Sequence, residues 1–286
     1  MNQEPSPTHL SPDGPDRKLT RLKAALRETG GIAIAFSGGV DSTFLAAVAV
    51  QELGARALAV TAVSPTYPIR ERNEAEALAR SLGIRQILVE SDELQIPAFA
   101  ANPPERCYHC KSELFRVVRE IADREGIACV ADGTNADDTA DYRPGRRAAR
   151  ECRVRSPLLE AGLTKNDIRA LSENLRLPTA HKPAFACLAS RFPYGTRITR
   201  EKLQSVDALE ARLRELRFSQ IRVRYHGDVA RIELAENEIA KAAEPAVRAA
   251  IVKAAKAAGF TYVALDLAGY RTGSMNEVLR TPDSGD

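Results

Sequence analysis

The chain has 286 residues, of which 44% are hydrophobic and 28% are charged, and its formal net charge is +3. A chain of this length buries a sizeable core as one large or two modest domains, so it needs no disulfide framework. Its balanced charge, low aromatic content (5%) and lack of tryptophan argue against a nucleic-acid partner, and its longest apolar run near the start is too short to span a membrane.

The start of the chain is polar and rich in proline, which predicts a disordered tail over 1–16. After this tail, short apolar runs alternate with amphipathic stretches. The alternation is typical of an α/β fold in which helices cover both faces of a parallel sheet. Ligands bind such sheets at the carboxyl ends of the strands, which draws attention to the loops after Phe36, Val63 and Ala131. The predicted strands are 32–36, 57–63, 84–89 and 127–131, and the predicted helices are 42–53, 69–82 and 111–124.

The pattern changes after about Ala186 and predicts a small α+β unit. Two short runs of alternating polarity, 219–224 and 229–234, are separated by a turn and indicate a β-hairpin. Helices over 201–214 and 244–258 and a strand over 260–267 complete it. We therefore predict two domains, 17–186 and 187–286.

The sharpest local motif, Ser-Gly-Gly-Val-Asp-Ser, lies between the first predicted strand and helix. We call residues 37–43 the phosphate loop. Its two glycines, Gly38 and Gly39, allow close approach of an anion, and the helix start adds N–H groups. Asp41 is a poor partner for bare phosphate and indicates Mg²⁺. The alternative is a plain strand-to-helix turn capped by Ser42. Hydroxyl donors are expected from Ser37, Ser42 and Thr43.

This motif resembles the PP-loop of the ATP pyrophosphatase superfamily, whose sheet is HUP-like. The resemblance implies ATP cleavage between the α- and β-phosphates and transfer of AMP to an acceptor oxygen. It also implies that adenine lies against backbone at the end of the second strand, at Thr61, Ala62 and Ser64. Gly133 and Thr134, in the loop after the fourth strand, are expected to contact the nucleotide, although an ordinary turn is the alternative there.

The five cysteines and the polar start favour a reducing cytoplasm over a secreted, disulfide-bonded protein. Cys107 and Cys110 form a C-x-x-C motif that suits a metal, a redox disulfide or neither. Cys129 is predicted to be a core residue and Cys152 an incidental surface thiol. Cys187 lies in an irregular loop between Lys182 and Arg191, an electropositive setting that favours the thiolate.

Two further stretches narrow the resemblance: Lys-Pro-Ala-Phe-Ala-Cys-Leu-Ala-Ser-Arg-Phe-Pro-Tyr-Gly at 182–195, and Gly-Tyr-Arg-Thr-Gly-Ser-Met-Asn at 269–276. With the phosphate loop, they resemble the LarE family of ATP-dependent sulfur transferases in nickel-pincer cofactor biosynthesis. This implies adenylylation of a carboxylate of pyridinium-3,5-biscarboxylic acid mononucleotide, with Asp41 and Cys187 as catalytic residues. Cys187 would attack the anhydride, and cleavage of its Cβ–S bond would leave a thiocarboxylate and dehydroalanine.

Some members of that family resemble a variant in which three cysteines hold a [4Fe-4S] cluster with one open iron position. Cys107, Cys110 and Cys187 supply that count and favour the cluster version here. The substrate carries phosphate and carboxylates, so arginine contacts are expected. The candidates are Arg191, with its neighbour Ser190, and the strand residues Arg222 and Arg224.

Two other functions stay open at this point. One is a different PP-loop enzyme, such as a tRNA thiolase or an amidotransferase-type NAD or GMP synthetase, although the chain shows no added basic domain and no glutaminase domain. The other is a nucleotide-binding protein without catalysis, against which the intact phosphate loop argues. The LarE resemblance also implies a homo-oligomer built through the C-terminal unit.

Overall fold

The computed structural model of the protein describes residues 13–139, 144–183, 186–271 and 273–279. Most of the predicted tail, residues 1–12, lies outside this description. So do Ala184 and Phe185 of the segment before Cys187, and Thr272 of the 269–276 stretch.

Eleven helices and seven strands are formed by these described residues, and the sequence-predicted elements agree with them to within a few residues. The strands are β1 (Ile32–Ala35), β2 (Ala57–Val63), β3 (Arg85–Glu90), β4 (Cys129–Ala131), β5 (Ile221–His226), β6 (Val229–Leu234) and β7 (Tyr262–Leu265). The helices are α1 (Pro15–Thr29), α2 (Val40–Leu53), α3 (Ile69–Leu82), α4 (Pro97–Ala100), α5 (Arg106–Arg124), α6 (Gly145–Glu151), α7 (Pro157–Glu160), α8 (Lys165–Asn174), α9 (Arg200–Glu215), α10 (Ile239–Ala243) and α11 (Pro245–Ala257).

The first sheet has the strand order β3-β2-β1-β4, and every neighbouring pair is parallel. All four residues of β1 are buried, as expected for a central strand covered on both faces. The chain moves from β1 to β2 on one side and returns to β4 on the other. The loops that follow β1 and β4 therefore open at a topological switch point, where α/β sheets bind ligands.

A first core packs α1, α2 and α8 against this sheet. Leu22 and Leu26 of α1, Phe44 of α2 and Ile168 of α8 are fully buried in it. α2 is apolar on nearly all sides and is buried along most of its length, as expected for a helix inside a layered α/β domain.

The second sheet has the order β5-β6-β7. β5 and β6 form the predicted hairpin, with Gly227 and Asp228 as its two-residue turn, and Gly227 takes a positive φ of 64°. β7 pairs with β6 in parallel. A second core lies among α9, α11 and this sheet and includes Phe99, Leu188, Phe192 and Phe260.

The chain divides into two compact units. The first unit comprises Met1–Val63, Arg70–Glu90 and Lys111–Phe185, and the second comprises Ser64–Ile69, Ser91–Cys110 and Ala186–Asp286. The last segment begins within a residue of the boundary predicted at 186/187. The other two segments of the second unit fall inside the predicted first domain.

Six helices were not predicted from the sequence: the four short helices α4, α6, α7 and α10, and the longer helices α1 and α8. α1 was not predicted, and its first turn contains Pro15 and Asp16, which had been given to the tail. α8 was also missed, although Thr164 and Asp167 form a reciprocal capping box at its start.

No helix in the described part of the chain is long and apolar enough to cross a membrane.

Candidate active site

The phosphate loop joins β1 to α2 within the first unit. Gly38 has a φ of 64°, and a Cβ atom on it would lie 3.0 Å from the Cα atom of Ala75 on α3. Both the left-handed backbone and the close approach of α3 therefore require glycine at this position.

The start of α2 carries no capping side chain. The N-cap residue is Gly39, and Ser42 lies inside the first turn, so the alternative in which Ser42 caps the helix is wrong. The Ser42 hydroxyl instead lies 3.2 Å from the Ser37 hydroxyl and accepts a hydrogen bond from the Ser37 N–H at 3.3 Å. Backbone N–H groups at an uncapped helix start suit an anion such as phosphate.

Asp41 is held by two residues that the sequence analysis missed. The Asn135 amide donates to Asp41 Oδ1 at 3.4 Å, and the Lys165 ammonium pairs with Oδ2. These partners are 94 and 124 positions away in the chain. The capping box of α8 predicts a helix start at Lys165, but no local signal shows that its side chain reaches the phosphate loop.

The loop after β4 packs directly against the phosphate loop. A Cβ atom on Gly133 would lie 3.0 Å from the Ser42 nitrogen and 3.3 Å from the Asp41 Cβ. Thr134 uses its N–H and hydroxyl within its own loop, where both donate to Asp132 at 3.1 and 2.8 Å. Gly133 thus packs against the phosphate loop, whereas the N–H and hydroxyl of Thr134 both donate to Asp132.

The residues expected near adenine are divided between the two units. Thr61 is buried, donates to the Phe36 carbonyl at 2.8 Å and accepts from Gln86 at 2.9 Å. Ala62 is half-buried near the carboxyl end of β2. Ser64 belongs to the second unit, where its hydroxyl lies 2.9 Å from that of Thr66.

The expected Mg²⁺ fits the chemistry of the phosphate loop. Mg²⁺ is commonly bound by one or two carboxylates together with phosphate oxygens, and Asp41 supplies one carboxylate beside the uncapped helix. Binding there would displace the Lys165 ammonium from Asp41 Oδ2. The ion would neutralise the charge of the phosphates.

Cys187 lies in the second unit and is half-buried against the second core. It precedes a short turn, Leu188–Arg191, and its carbonyl accepts hydrogen bonds from Arg191 at 2.9 Å and from the Ser190 hydroxyl at 2.8 Å. The same Arg191 guanidinium also donates to the Ala186 carbonyl. Arg191 therefore holds the carbonyls of both peptide groups that flank the Cys187 Cα.

A buried ion pair anchors Arg191 in turn. Its side chain is 1% exposed and forms a two-point pair with Glu210, at 2.9 and 3.0 Å. Burial alone would raise the pKa of Glu210, but the charge and hydrogen bonds of Arg191 outweigh it and lower that pKa. Glu210 also accepts from the Val223 N–H at 3.1 Å, which links the pair to β5.

Arg224 holds the other end of this segment, residues 186–191, which we call the cysteine loop. It donates to the Ser190 carbonyl at 3.0 Å, to Glu233 at 2.6 Å and to the Ser274 hydroxyl at 3.1 Å. Ser274 belongs to the 269–276 stretch, so two of the sequence motifs meet here.

Arg222 is also buried and stacks over the Tyr270 ring at 5.1 Å. Burial and the positive charge of Arg191 lower the pKa of Arg222.

The electropositive setting expected around Cys187 is neutralised by carboxylates. Lys182 pairs with Glu71 at 2.8 Å and with Glu74 at 2.9 Å, all within the first unit. Arg191 pairs with Glu210. Sequence proximity alone suggested an electropositive setting, and it could not show the distant acidic partners of Lys182 and Arg191.

Cys107 and Cys110 lie in the first turns of α5, one turn apart. Cys107 is exposed, whereas Cys110 packs against the second core and lies 3.9 Å from Glu93. Three thiolates suit an iron–sulfur cluster chemically. Across the described ranges, however, no three Cys, His, Asp or Glu residues are grouped to hold a metal ion, so the three cysteines do not form a preassembled site.

The remaining two cysteines are away from these motifs. Cys129 starts β4 and packs against the first core, and burial raises the pKa of its thiol. Cys152 follows α6 and is half-buried.

Comparison with known proteins places this architecture in a family. The asparagine synthase family model matches residues 21–246. An uncharacterized protein of Synechocystis is 45% identical over 92% of this chain and 98% of its own length. One from Methanocaldococcus jannaschii is 31% identical over 90% and 98%. The pyridinium-3,5-bisthiocarboxylic acid mononucleotide synthase of Lactiplantibacillus plantarum is 39% identical over 92% and 95%. With this likeness along nearly its whole length and a matching phosphate-loop domain, the chain belongs to the LarE family of PP-loop sulfur transferases.

Proposed function

We propose that this protein uses ATP to activate a carboxylate of pyridinium-3,5-biscarboxylic acid mononucleotide and then transfers sulfur to it through Cys187. The proposal rests on the presence of two loops in one chain of the LarE family. One is the uncapped phosphate loop, and the other is a cysteine loop whose backbone is held by two buried arginines.

In the first half-reaction, a substrate carboxylate oxygen attacks the α-phosphorus of ATP. Pyrophosphate leaves, and a mixed acyl–AMP anhydride forms. The uncapped start of α2 and the hydroxyls of Ser37, Ser42 and Thr43 support binding of the β- and γ-phosphates. Asp41 would hold Mg²⁺ against them, and Lys165, once displaced from Asp41, would stay close to the departing negative charge.

In the second half-reaction, the Cys187 thiolate attacks the activated carbonyl carbon, and AMP leaves to give a thioester. Loss of the Cys187 Cα proton and cleavage of the Cβ–S bond then give a thiocarboxylate on the product and dehydroalanine in the chain. AMP is a good leaving group, so the thiolate needs no further activation of the acyl carbon. Two such events would supply both sulfur atoms of the dithio product.

The structure also refines the expected roles of the arginines. Arg191 uses its donors on Glu210 and on carbonyls of the cysteine loop, which supports a positioning role in place of a substrate contact. Arg224 similarly contacts the Ser190 carbonyl and Glu233. Arg222 remains a candidate for contact with the anionic substrate, because its buried guanidinium lies over the Tyr270 ring at 5.1 Å beside the cysteine loop arginines.

The decisive experiment compares Cys187→Ala with the wild type in the presence of ATP and the mononucleotide. The variant is expected to release a single equivalent of pyrophosphate per chain and to form no thiocarboxylate, because only the acceptor of the acyl group is lost. Cys152→Ala is the matched control and should retain both activities.

Two outcomes would contradict the proposal. Thiocarboxylate formation by Cys187→Ala at the wild-type rate would remove Cys187 from sulfur transfer. Tight ATP binding by the wild type without pyrophosphate release on any carboxylate tested would favour a nucleotide-binding protein without catalysis.

The source of the transferred sulfur has a second candidate, a sulfide carried on a [4Fe-4S] cluster held by Cys107, Cys110 and Cys187. All three cysteines fall in the second unit, and Cys110 and Cys187 both pack against its core. Iron and acid-labile sulfide in anaerobically purified protein would support the cluster. Iron-free protein from a cluster-competent host, with dehydroalanine at position 187 after turnover, would support the sacrificial route.

We also propose a homo-oligomer assembled through the C-terminal segment, as the family resemblance implies. Light scattering of the purified full chain is the measurement that tests it, and a monomeric mass at micromolar concentration would contradict it.

A further inference from the structure

Lys182 makes an unusual set of contacts beside the phosphate loop. Its ammonium donates to the Gly38 carbonyl at 3.3 Å and also to Glu71 and Glu74. The lysine side chain is 15% exposed, and that of Glu71 is 11% exposed. The contact with Gly38 joins residues that are 144 positions apart in the chain.

One face of α3 supports this arrangement. Glu74 and Ala75 follow Glu71 by three and four residues and therefore lie on the same side of the helix as Glu71. Ala75 packs against Gly38, and the two carboxylates hold Lys182 over the Gly38 carbonyl. Burial alone would lower the pKa of Lys182, but hydrogen bonds and charge from Glu71 and Glu74 outweigh it and raise that pKa. The ammonium is thus a stable positive charge at this place.

The Gly38 carbonyl and the Gly39 N–H belong to the same peptide group. That group is planar and trans, so its C=O and N–H point in opposite directions. An ammonium fixed on the carbonyl side therefore fixes the direction of the N–H. Gly39 is the N-cap residue of α2, so this N–H is one of the helix-start donors suited to an anion.

We infer that Lys182 is a positioning residue for the phosphate loop: by holding the Gly38 carbonyl, it directs the Gly39 N–H toward the β- and γ-phosphates of ATP. The inference rests on the proposed function, because it assumes that the loop binds those phosphates. Two glycines in succession leave the peptide between them free to rotate, and Lys182 removes that freedom before ATP binds.

The test measures binding of ATP and of AMP to the full-length Lys182→Met variant. ATP affinity is expected to fall about tenfold, the size of effect expected for one charge-assisted hydrogen bond. AMP lacks the β- and γ-phosphates, so its affinity is expected to stay within about twofold of the wild-type value. Lys241→Met is the matched control, because Lys241 also donates to backbone carbonyls, those of Leu216 and Arg217. It should change neither affinity.

A second variant separates the effect of losing the hydrogen bond from Lys182 to Gly38 from the effect of the negative charge on Glu71 and Glu74. Removing Lys182 alone takes one positive charge away from Glu71 and Glu74, which keep only other partners such as Arg70, and the added negative charge beside the loop would repel phosphate. The triple variant K182M/E71Q/E74Q removes that repulsion and should still bind ATP about tenfold more weakly than the wild type.

Three outcomes would overturn the inference while leaving the proposed function intact. They are normal ATP affinity in Lys182→Met, full recovery of ATP affinity in the triple variant, or an equal loss of ATP and AMP affinity in both variants. A wild-type protein that binds neither nucleotide would instead overturn the proposed function itself.

Discussion

At the scale of single residues, the most consequential interaction is the pair of Arg191 with Glu210. Neither side chain is exposed by more than 1%, and Glu210 is the carboxylate that pairs with the Arg191 guanidinium, while Arg214 also contacts Glu210 at 3.0 Å. Pairs of this kind add little net stability compared with apolar packing, yet removing one partner leaves a buried charge without compensation. The pair is therefore a sensitive place at which to test how the cysteine loop is held.

We predict that Glu210→Gln lowers the free energy of unfolding by about 3–5 kcal/mol, because the Arg191 charge stays buried without its counter-ion. Chemical denaturation of the full chain measures this. Glu215→Gln is the control on the same helix, since Glu215 forms an exposed pair with Arg212, and it should cost less than about 0.5 kcal/mol. Equal effects of the two substitutions would contradict the prediction.

The same residue predicts a dependence of stability on pH. The pKa of Glu210 is lower in the folded protein than its ordinary value of 4.5, so the unfolded chain takes up a proton at a higher pH than the folded one. The stability from this group is complete well above pH 4.5 and is lost as the pH falls through the lowered pKa. Wild-type stability should fall more steeply with acid than that of Glu210→Gln, and identical slopes would rule out this contribution.

At the scale of secondary-structure elements, the sequence predicted the elements that bear the strongest local patterns. β1 and α2 were found because an apolar run ends at two glycines. α1 was missed because its polar, proline-containing start resembles the tail before it. The contacts of Lys165 and Lys182 with the phosphate loop were missed for a different reason. They join elements more than 100 residues apart, and a lone lysine carries no sign of its distant partner.

The packing of the loop after β4 on the start of α2 gives a prediction at this scale. Gly133→Ala should weaken ATP binding and cost about 1–3 kcal/mol of stability, because its Cβ would meet the Ser42 nitrogen at 3.0 Å and this backbone cannot move aside cheaply. Isothermal titration and denaturation measure the two effects.

Gly31→Ala is its matched control. A Cβ there would also meet an atom at 3.0 Å, but that atom is Nε of the exposed, flexible Arg56 side chain, whose displacement costs one exposed hydrogen bond to the Gly30 carbonyl. We expect little change in either measurement. If Gly133→Ala behaves like Gly31→Ala, the loop after β4 does not constrain the phosphate loop.

At the scale of the whole molecule, the second unit is assembled from three separate stretches of chain. Asn102, from the middle stretch, donates to the Phe192 and Pro193 carbonyls of the last stretch at 3.3 and 2.7 Å. Ala100 accepts from the Ile198 N–H at 2.8 Å. A sequence shows where composition changes, so the change near 186 was visible. It does not show that an earlier insertion packs with a later domain, because that pairing depends on tertiary contacts.

This organisation predicts that a fragment cut at the sequence boundary is defective. Residues 1–186 alone would carry Phe99, which is 1% exposed in the full chain, without the partners that bury it. The fragment should bind the dye ANS and aggregate, whereas the full chain should not. Phe99→Ser within the fragment should reduce dye binding. A fragment that unfolds cooperatively and binds no dye would show that 91–110 does not depend on the last stretch.

The hydrogen bonds around Cys187 have one more consequence. Arg191 and the Ser190 hydroxyl grip the carbonyl of Cys187, and no part of that grip uses its sulfur atom. These two hydrogen bonds therefore do not require the sulfur atom of Cys187. A chain that has lost the Cys187 sulfur in the reaction is therefore expected to stay folded but to be inactive. The same fold is therefore compatible with a cysteine sulfur that is consumed once and with a sulfide that is replaced after each turnover. A change from one sulfur source to the other requires no new fold.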